Sequence, residues 1–351
     1  MDIEKEISIK TANEKQLFNV LFELTYNCNL SCVHCYAINC KTNLPLNNEL
    51  TTEKWKSIID ELYDENAFLI TFSGGDPFLR KDFLEIFRYA RKKDFVCNIY
   101  TNGNLITDEI INEICDLYPR SVQVSIYSAR EEIHDAITQV GGSWRKSFAV
   151  LEKLHSKGIL IGFKCPLMKS NIKYYEEMKN LAKQFDASLQ MDLMISAKND
   201  GNLEPTNIRV QDDQDIFKII SDPEIDGYYS EYKRGEQISD KDPEASICGA
   251  GGNGFRINPY GVINVCIALQ YPIGNVNNQS VKEIWNNSNS LSNFRKFKWN
   301  DLKDCKNCKI SRYCIFCLGA SKNEMGDMLK KNPYNCKITS ARTKYFSKKR
   351  G

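Results

Sequence analysis

The chain has 351 residues, 47 of them Lys or Arg and 45 Asp or Glu, for a net charge of +2, with 42% hydrophobic and 26% charged side chains. That length accommodates one large α/β domain with a smaller one beside it, and the near-balance of charge provides no long-range field for nucleic acid or an anionic membrane. No run of about 18 apolar residues could span a bilayer and the opening MDIEKEISIK has no apolar signal region, so no membrane partner and a cytoplasmic location are expected.

Residues 1–17 read as an N-terminal extension. From residue 18 the pattern alternates strand and helix. NVLFELTY (19–26) is a β-rich apolar run, and a helix opens after Thr51, a plausible N-cap, with Trp55, Ile58, Ile59 and Leu62 on one face. Strand FLITFSGG (68–75), helix 82–93, strand FVCNIYTNG (95–103) and helix 108–118 follow. Strand SVQVSIYS (121–128), helix 143–158, strand ILIGFKCPLM (159–168), helix 173–186 and strand SLQMDLMIS (188–196) complete six units. Such alternation predicts a parallel α/β sheet over 18–197. Six units fall short of an eight-fold barrel, leaving an open partial barrel or a doubly wound sheet. Residues 198–247 are polar, rich in turn formers, and read as a linker with one short helix. Within 248–340, residues 254–266 predict a hairpin turning at Pro259-Tyr260-Gly261. The remainder is cysteine-rich loop with short helical pieces, and 341–351 is a basic tail.

Fourteen cysteines are unusual for such a chain. In a reducing compartment they read as metal, cluster or catalytic thiols rather than as disulfides. Cys28, Cys32 and Cys35 follow the first strand in a CxxxCxxC run. A cubane iron–sulfur cluster normally takes four thiolates. Three leave one iron open to a substrate or cofactor. The other readings are a set of buried cysteines or a zinc knuckle completed by His34, although zinc sites favour CxxC pairs. At the end of the second strand stand Ser73, Gly74, Gly75, Asp76 and Pro77, where glycine allows close backbone approach. Thr101, Asn102 and Ser125 lie at the ends of the next two strands, the side on which parallel α/β proteins bind ligands.

The run TYNCNLSCVHCY resembles the signature of radical S-adenosylmethionine (SAM) enzymes, and Gly74-Gly75-Asp76-Pro77 is similar to that family's GGEP motif with Asp for Glu. The resemblance implies a [4Fe–4S] cluster on Cys28, Cys32 and Cys35 whose open iron is chelated by SAM. It also implies cleavage of SAM by one electron to a 5′-deoxyadenosyl radical that abstracts hydrogen. The backbone of Ser73, Gly74, Gly75 and Asp76 would hold the SAM amino group, Thr101, Asn102 and Ser125 would contact its ribose and carboxylate, and Tyr36 would pack beside adenine. Many relatives carry Arg where Thr138 stands, so Arg145 and Lys164 become the candidates for the carboxylate partner. The fold so implied is a partial (β/α)6 TIM-like barrel followed by a small cysteine-rich cluster-binding domain.

Seven later cysteines form an ordered array. Cys248 and Gly261-x4-Cys266 precede Cys305-x2-Cys308-x5-Cys314-x2-Cys317, and Cys336 comes last. CxxC pairs in isolation are also the mark of structural zinc. The array resembles the SPASM extension of peptide-modifying radical SAM enzymes, with one residue fewer between Cys314 and Cys317. By position, Cys305, Cys308, Cys314 and Cys336 would ligate one auxiliary [4Fe–4S] cluster and Cys248, Cys266 and Cys317 a second. The resemblance covers roughly residues 18–340.

Cys97 and Cys115 read as core and Cys40 has no evident role. Cys165, near the end of the fifth strand, reads as core or as a catalytic hydrogen donor to a substrate radical. The resemblance implies oxidative modification of a peptide, in the manner of the maturases of ribosomally made precursors (RiPPs). The alternatives are sulfatase-type protein maturation, tetrapyrrole chemistry, or a non-enzymatic zinc module. With 27 residues before Cys28, either a separate leader-peptide-recognition protein is expected as partner or the core binds the substrate directly, with flavodoxin or ferredoxin as reductant.

Overall fold

The computed structural model describes residues 3–37, 48–225 and 241–348. Cys40, part of the 198–247 stretch and the last residues of the tail lie outside these. The first element is a helix, α1 (Ile3–Glu14), where the sequence suggested only an extension. It is held on the C-terminal part of the chain. Asn253 Nδ2 donates to the Ser8 carbonyl at 2.9 Å and to Thr11 Oγ1 at 3.0 Å.

The alternating units follow as β1 (Asn19–Glu23), α2 (Thr52–Asp64), β2 (Leu69–Ser73), α3 (Phe83–Lys92), β3 (Val96–Thr101) and α4 (Asp108–Leu117). Next come β4 (Ser121–Ser125), α5 (Glu131–Thr138), α6 (Ser143–Ser156), β5 (Ile161–Pro166), α7 (Tyr175–Gln184) and β6 (Ser188–Asp192). Thr51 caps α2 as expected, its Oγ1 accepting from Lys54 N at 3.2 Å, and Trp55, Ile58, Ile59 and Leu62 are buried. Helix α5 was not anticipated. The strands pair in parallel, and the result is the partial (β/α)6 barrel.

Period-2 alternation gives this barrel two chemically different faces. Phe22, Phe72, Ile99, Val124 and Phe163 turn outward under the helices, all fully buried, with Phe22 against Trp55 at 4.7 Å and Phe72 against Phe87 at 5.6 Å. Tyr100, Gln123 and Lys164 turn inward and line a cavity.

The polar stretch after β6 contains α8 (Asp213–Ser221), the one short helix read there. Beyond it, β7 (Gly254–Ile257) and β8 (Val262–Asn264) form the expected antiparallel hairpin. What the sequence did not show is that β7 also pairs in parallel with β1. With β9 (Pro272–Asn275), one nine-stranded sheet runs β6-β5-β4-β3-β2-β1-β7-β8-β9. Arg256 of β7 and Glu23 of β1 close the seam as an ion pair at 2.9 Å, each side chain 1% exposed.

Four helices finish the chain: α9 (Val281–Asn287), α10 (Asn289–Phe294), α11 (Leu318–Met325) and α12 (Pro333–Lys348). Residues 341–348 of the stretch read as a basic tail form the second half of α12, with Ala341, Arg342 and Phe346 buried. No helix of the described residues is long and apolar enough to cross a membrane.

Candidate active site

The C-terminal ends of β2, β3 and β4 and the loop after β1 enclose a cavity of about 330 Å³. Cys28, Cys32, Cys35, Tyr36, Ser73, Gly74, Gly75, Thr101, Asn102 and Ser125 all line it. The sheet register explains the convergence, because Glu23 stands beside Ser73 and Thr101 beside Val124.

The cysteine loop is pinned by its surroundings. Ser31 N and Val33 N each donate at 3.0 Å, to the carbonyls of Thr138 and Ile137 at the end of α5. Asn102 Nδ2 donates to Asn29 Oδ1 at 2.8 Å and lies 3.8 Å from Cys28 Sγ. Leu30 N approaches Cys28 Sγ at 3.5 Å, and Cys32 Sγ donates to the Tyr127 hydroxyl at 3.7 Å. Burial pushes the Cys28 thiol up to about 11 and that of Cys32 to about 12.

The two glycines answer a demand of the chain's own backbone. Gly74 has φ +144°, and a Cβ there would sit 2.3 Å from the Thr25 carbonyl oxygen. A Cβ on Gly75 would sit 2.1 Å from that of Asn27. Only glycine lets the end of β2 run this close to the loop that carries the cysteines. Gly75 N then donates to Thr25 O at 2.7 Å and Asp76 N to Asn27 O at 2.9 Å.

Asp76 does not line the cavity. It is fully buried behind it and accepts from Thr101 Oγ1 and Asn102 N, both at 2.8 Å, and from Phe78 N at 3.0 Å. The carboxylate therefore ties the end of β2 to that of β3. Burial lifts its pKa to about 6, against the pull of those donors. Tyr36 lines the cavity, with its hydroxyl donating to Glu23 Oε1 at 3.3 Å.

Of the two cations considered for the carboxylate, Lys164 faces the cavity. It donates to Gln190 Oε1 and lies 4.1 Å above the Tyr100 ring. Burial lowers its pKa to about 8. Arg145 instead pairs with Glu131 on the surface at 2.8 Å, its side chain 75% exposed. Cys165 sits on the outer face of β5, 1% exposed, and its Sγ donates to the Tyr127 carbonyl at 3.5 Å. Lys164 and Pro166 beside it line the cavity and Cys165 does not, because alternate residues of a strand point to opposite faces.

The seven later cysteines separate into two groups. Cys248 couples electrostatically to Cys266 and Cys317, while Cys305 couples to Cys314, Cys336 and Cys308. That division is the one implied by position in the sequence. The first group adjoins the cavity, because Ile267, next to Cys266, forms part of its wall. Asn335 Nδ2 reaches Cys314 Sγ at 3.2 Å in the second. Among the described residues no three Cys, His, Asp or Glu side chains converge tightly enough to chelate a single metal ion.

The chain matches the radical SAM superfamily over residues 22–182 and the SPASM iron–sulfur cluster-binding domain over residues 248–309. It carries a radical SAM domain followed by a SPASM domain. The chain is therefore an enzyme of radical SAM chemistry, with a [4Fe–4S] cluster, SAM and auxiliary iron–sulfur clusters as cofactors. An AdoMet-dependent heme synthase of Methanosarcina barkeri is 28% identical over 337 residues, 90% of this chain and 95% of that protein. The mycofactocin maturase MftC of Mycobacterium tuberculosis H37Rv is 28% identical over 294 residues, 78% of this chain and 72% of that one. The solved structure of native anSMEcpe with bound AdoMet and Kp18Cys peptide superposes with a TM-score of 0.71 at 18% identity, covering 95% of this chain and 97% of that one.

The residues present fit these groups. Three thiols share one cavity wall and the later cysteines stand in groups of three and four. The radical SAM cavity also contains residues that sequence reasoning passed over, Tyr127 and His34 among them. His34 was weighed only as a zinc ligand, yet its ring lies edge-on to Tyr127 at 4.6 Å and its buried Nδ1 has no hydrogen-bond partner. Tyr127 belongs to no motif, and the only signal was its place two residues beyond Ser125.

Proposed function

We propose that this enzyme oxidatively modifies a peptide, forming a crosslink or a C–S or C–C bond in a ribosomally made precursor. When bound, the first cluster supplies the electron that cleaves SAM to the 5′-deoxyadenosyl radical. Cys28, Cys32 and Cys35 hold that cluster, and the Gly74-Gly75 backbone, Thr101, Asn102 and Ser125 position SAM against it. Lys164 presents the cation for a carboxylate. Cys305, Cys308, Cys314 and Cys336 hold one auxiliary cluster and Cys248, Cys266 and Cys317 the other.

The observation that carries the oxidative part is the contact at Ile267. Ile267 lines the cavity and is the chain neighbour of Cys266, so one ligand of the Cys248–Cys266–Cys317 group is close enough to give an electron leaving a substrate radical a short path. For the peptide itself the support is the likeness to a maturase and to a fold solved with a peptide bound. A separate leader-recognition protein, with flavodoxin or ferredoxin as donor, completes the proposal.

Anaerobic incubation of the reconstituted enzyme with SAM, reductant and short peptides encoded beside its gene tests it. The expected products are 5′-deoxyadenosine and a peptide lacking two hydrogens, read by mass spectrometry. Turnover of SAM with every such peptide unmodified rejects the peptide reading. The end-to-end likeness to a heme synthase favours a second reading, tetrapyrrole chemistry, and a tetrapyrrole in place of peptide is its assay.

A further inference from the structure

Tyr127 is held more firmly than a cavity wall requires. Its backbone N–H donates to His134 Nδ1 at 3.1 Å. Its carbonyl accepts from Asn171 Nδ2 at 2.9 Å and from Cys165 Sγ at 3.5 Å. The ring stacks on His134 at 5.3 Å with 20° between the planes, and His34 stands edge-on to its other side at 4.6 Å. Ile137, Met168 and Ile195 pack around it, with Cys32 against the same cluster. Neither the ring nor the backbone has room to drift, and Tyr127 is only 6% exposed.

The consequence lies at its oxygen, 3.7 Å from Cys32 Sγ. A cysteine bound to a cluster is a thiolate, which accepts hydrogen bonds and donates none. The phenol is then the donor of this pair.

Reduction adds an electron whose charge is shared with the ligand sulfurs, and a hydrogen bond to sulfur stabilises the reduced form more than the oxidised one. We propose that Tyr127 is a positioning residue of the radical-generating site, donating a hydrogen bond to the Cys32 thiolate and so raising the potential at which the cluster accepts its electron. One electron is taken from the external reductant and no proton moves. The proposal rests on the radical SAM assignment and is independent of what the substrate is.

The test is an anaerobic redox titration of the reconstituted enzyme by EPR, following the reduced-cluster signal that changes when SAM is added. Tyr127→Phe removes the donor and keeps the ring. Its midpoint is expected to fall, with roughly a tenfold smaller equilibrium constant for reduction, or about 59 mV for one electron. An unchanged midpoint at unchanged iron and sulfide content overturns the proposal. If Tyr127→Phe fails to hold the cluster, 3-fluorotyrosine placed at 127 decides. That more acidic phenol is the stronger donor, so the midpoint must rise, and an unchanged or lower value overturns the proposal. A merely structural ring would not shift the potential in opposite directions with donor strength.

Discussion

The two cysteine regions are built on different foundations. Cys28, Cys32 and Cys35 sit on a loop fixed at one end by β1 and in the middle by the carbonyls of Ile137 and Thr138, over strands whose outward residues Phe22, Phe72, Ile99, Val124 and Phe163 are fully buried. Cys305, Cys308 and Cys314 sit among single 3₁₀ turns, with Cys308 exposed. A few short turns bury too little apolar surface to hold a shape alone, and bound metal commonly supplies the missing free energy. The first site is thus set by the fold, whereas the second, apart from Cys336 on α12, is expected to take part of its shape from its cofactor.

The harshest way to break this comparison is to empty each region in turn. Replacing Cys28, Cys32 and Cys35 together by Ala should abolish 5′-deoxyadenosine formation and lower bound iron from about twelve to about eight per chain, with the thermal midpoint little changed. Replacing Cys305, Cys308, Cys314 and Cys336 should remove a similar amount of iron, lower the thermal midpoint clearly and leave SAM cleavage in place. Iron analysis, thermal unfolding and product assay read all three quantities. Equal losses of stability in the two variants would end the distinction.

A single methyl group probes the first foundation. Gly75→Ala places a Cβ 2.1 Å from the Asn27 carbonyl oxygen, and two backbones must part to admit it. The expected cost is about 1–3 kcal/mol together with most of the SAM cleavage, measured by unfolding and by 5′-deoxyadenosine yield. A variant as active and as stable as the parent would show that the approach of β2 to the cysteine loop does not organise the site.

Lys164 offers a smaller, pH-dependent test. Its folded pKa, lowered by burial to about 8, lies below the 10.5 of the free side chain. Above both values the lysine is neutral in either state and burial costs nothing. As pH falls from 10.5 toward 8 the unfolded chain takes up the proton first, so stability is lost across that window and stays lost below it. In the SAM-free enzyme, Lys164→Met should therefore be more stable at pH 7, by on the order of 2–3 kcal/mol, with the gain fading as pH approaches 10.5. Unfolding free energies at a series of pH values give the curve, and a gain that does not vary with pH would contradict it.

Much of the first region was legible because its signals are local. The six strands, the Thr51 cap and the buried face of α2 follow from spacing and periodicity, and the cavity-lining cysteines, glycines and strand-end polar residues from their resemblance to radical SAM motifs. The second region was legible only as a ligand list, since turns without periodicity carry no pattern of burial. The pairing of β7 with β1 was hidden because it joins residues more than two hundred positions apart. Helix α5 escaped notice because His134 and Thr138, fully buried in it, are polar. Asp76 was read only for its backbone, and the role of its carboxylate in tying β2 to β3 was not visible, because a motif identifies a residue and not the direction of its side chain.

Cys165 shows the same gap on the smallest scale, and its substitution is the finest of these tests. Within β5 the polar or small Gly162, Lys164 and Pro166 alternate with Ile161, Phe163 and Cys165, and that alternation already assigns the thiol to the helix side. Burial pushes it up to about 12, so it is a neutral S–H inside the packing, where a small apolar side chain also fits. Cys165→Ala should cost about 1 kcal/mol, the loss of a sulfur's packing and one weak hydrogen bond to the Tyr127 carbonyl. SAM cleavage should remain within about twofold. A hydrogen donor to a substrate radical would behave otherwise. Its loss would leave stability nearly intact while products of the unquenched radical accumulate in the mass spectrum. The two outcomes separate a residue that faces the chemistry from one that holds the strand behind it.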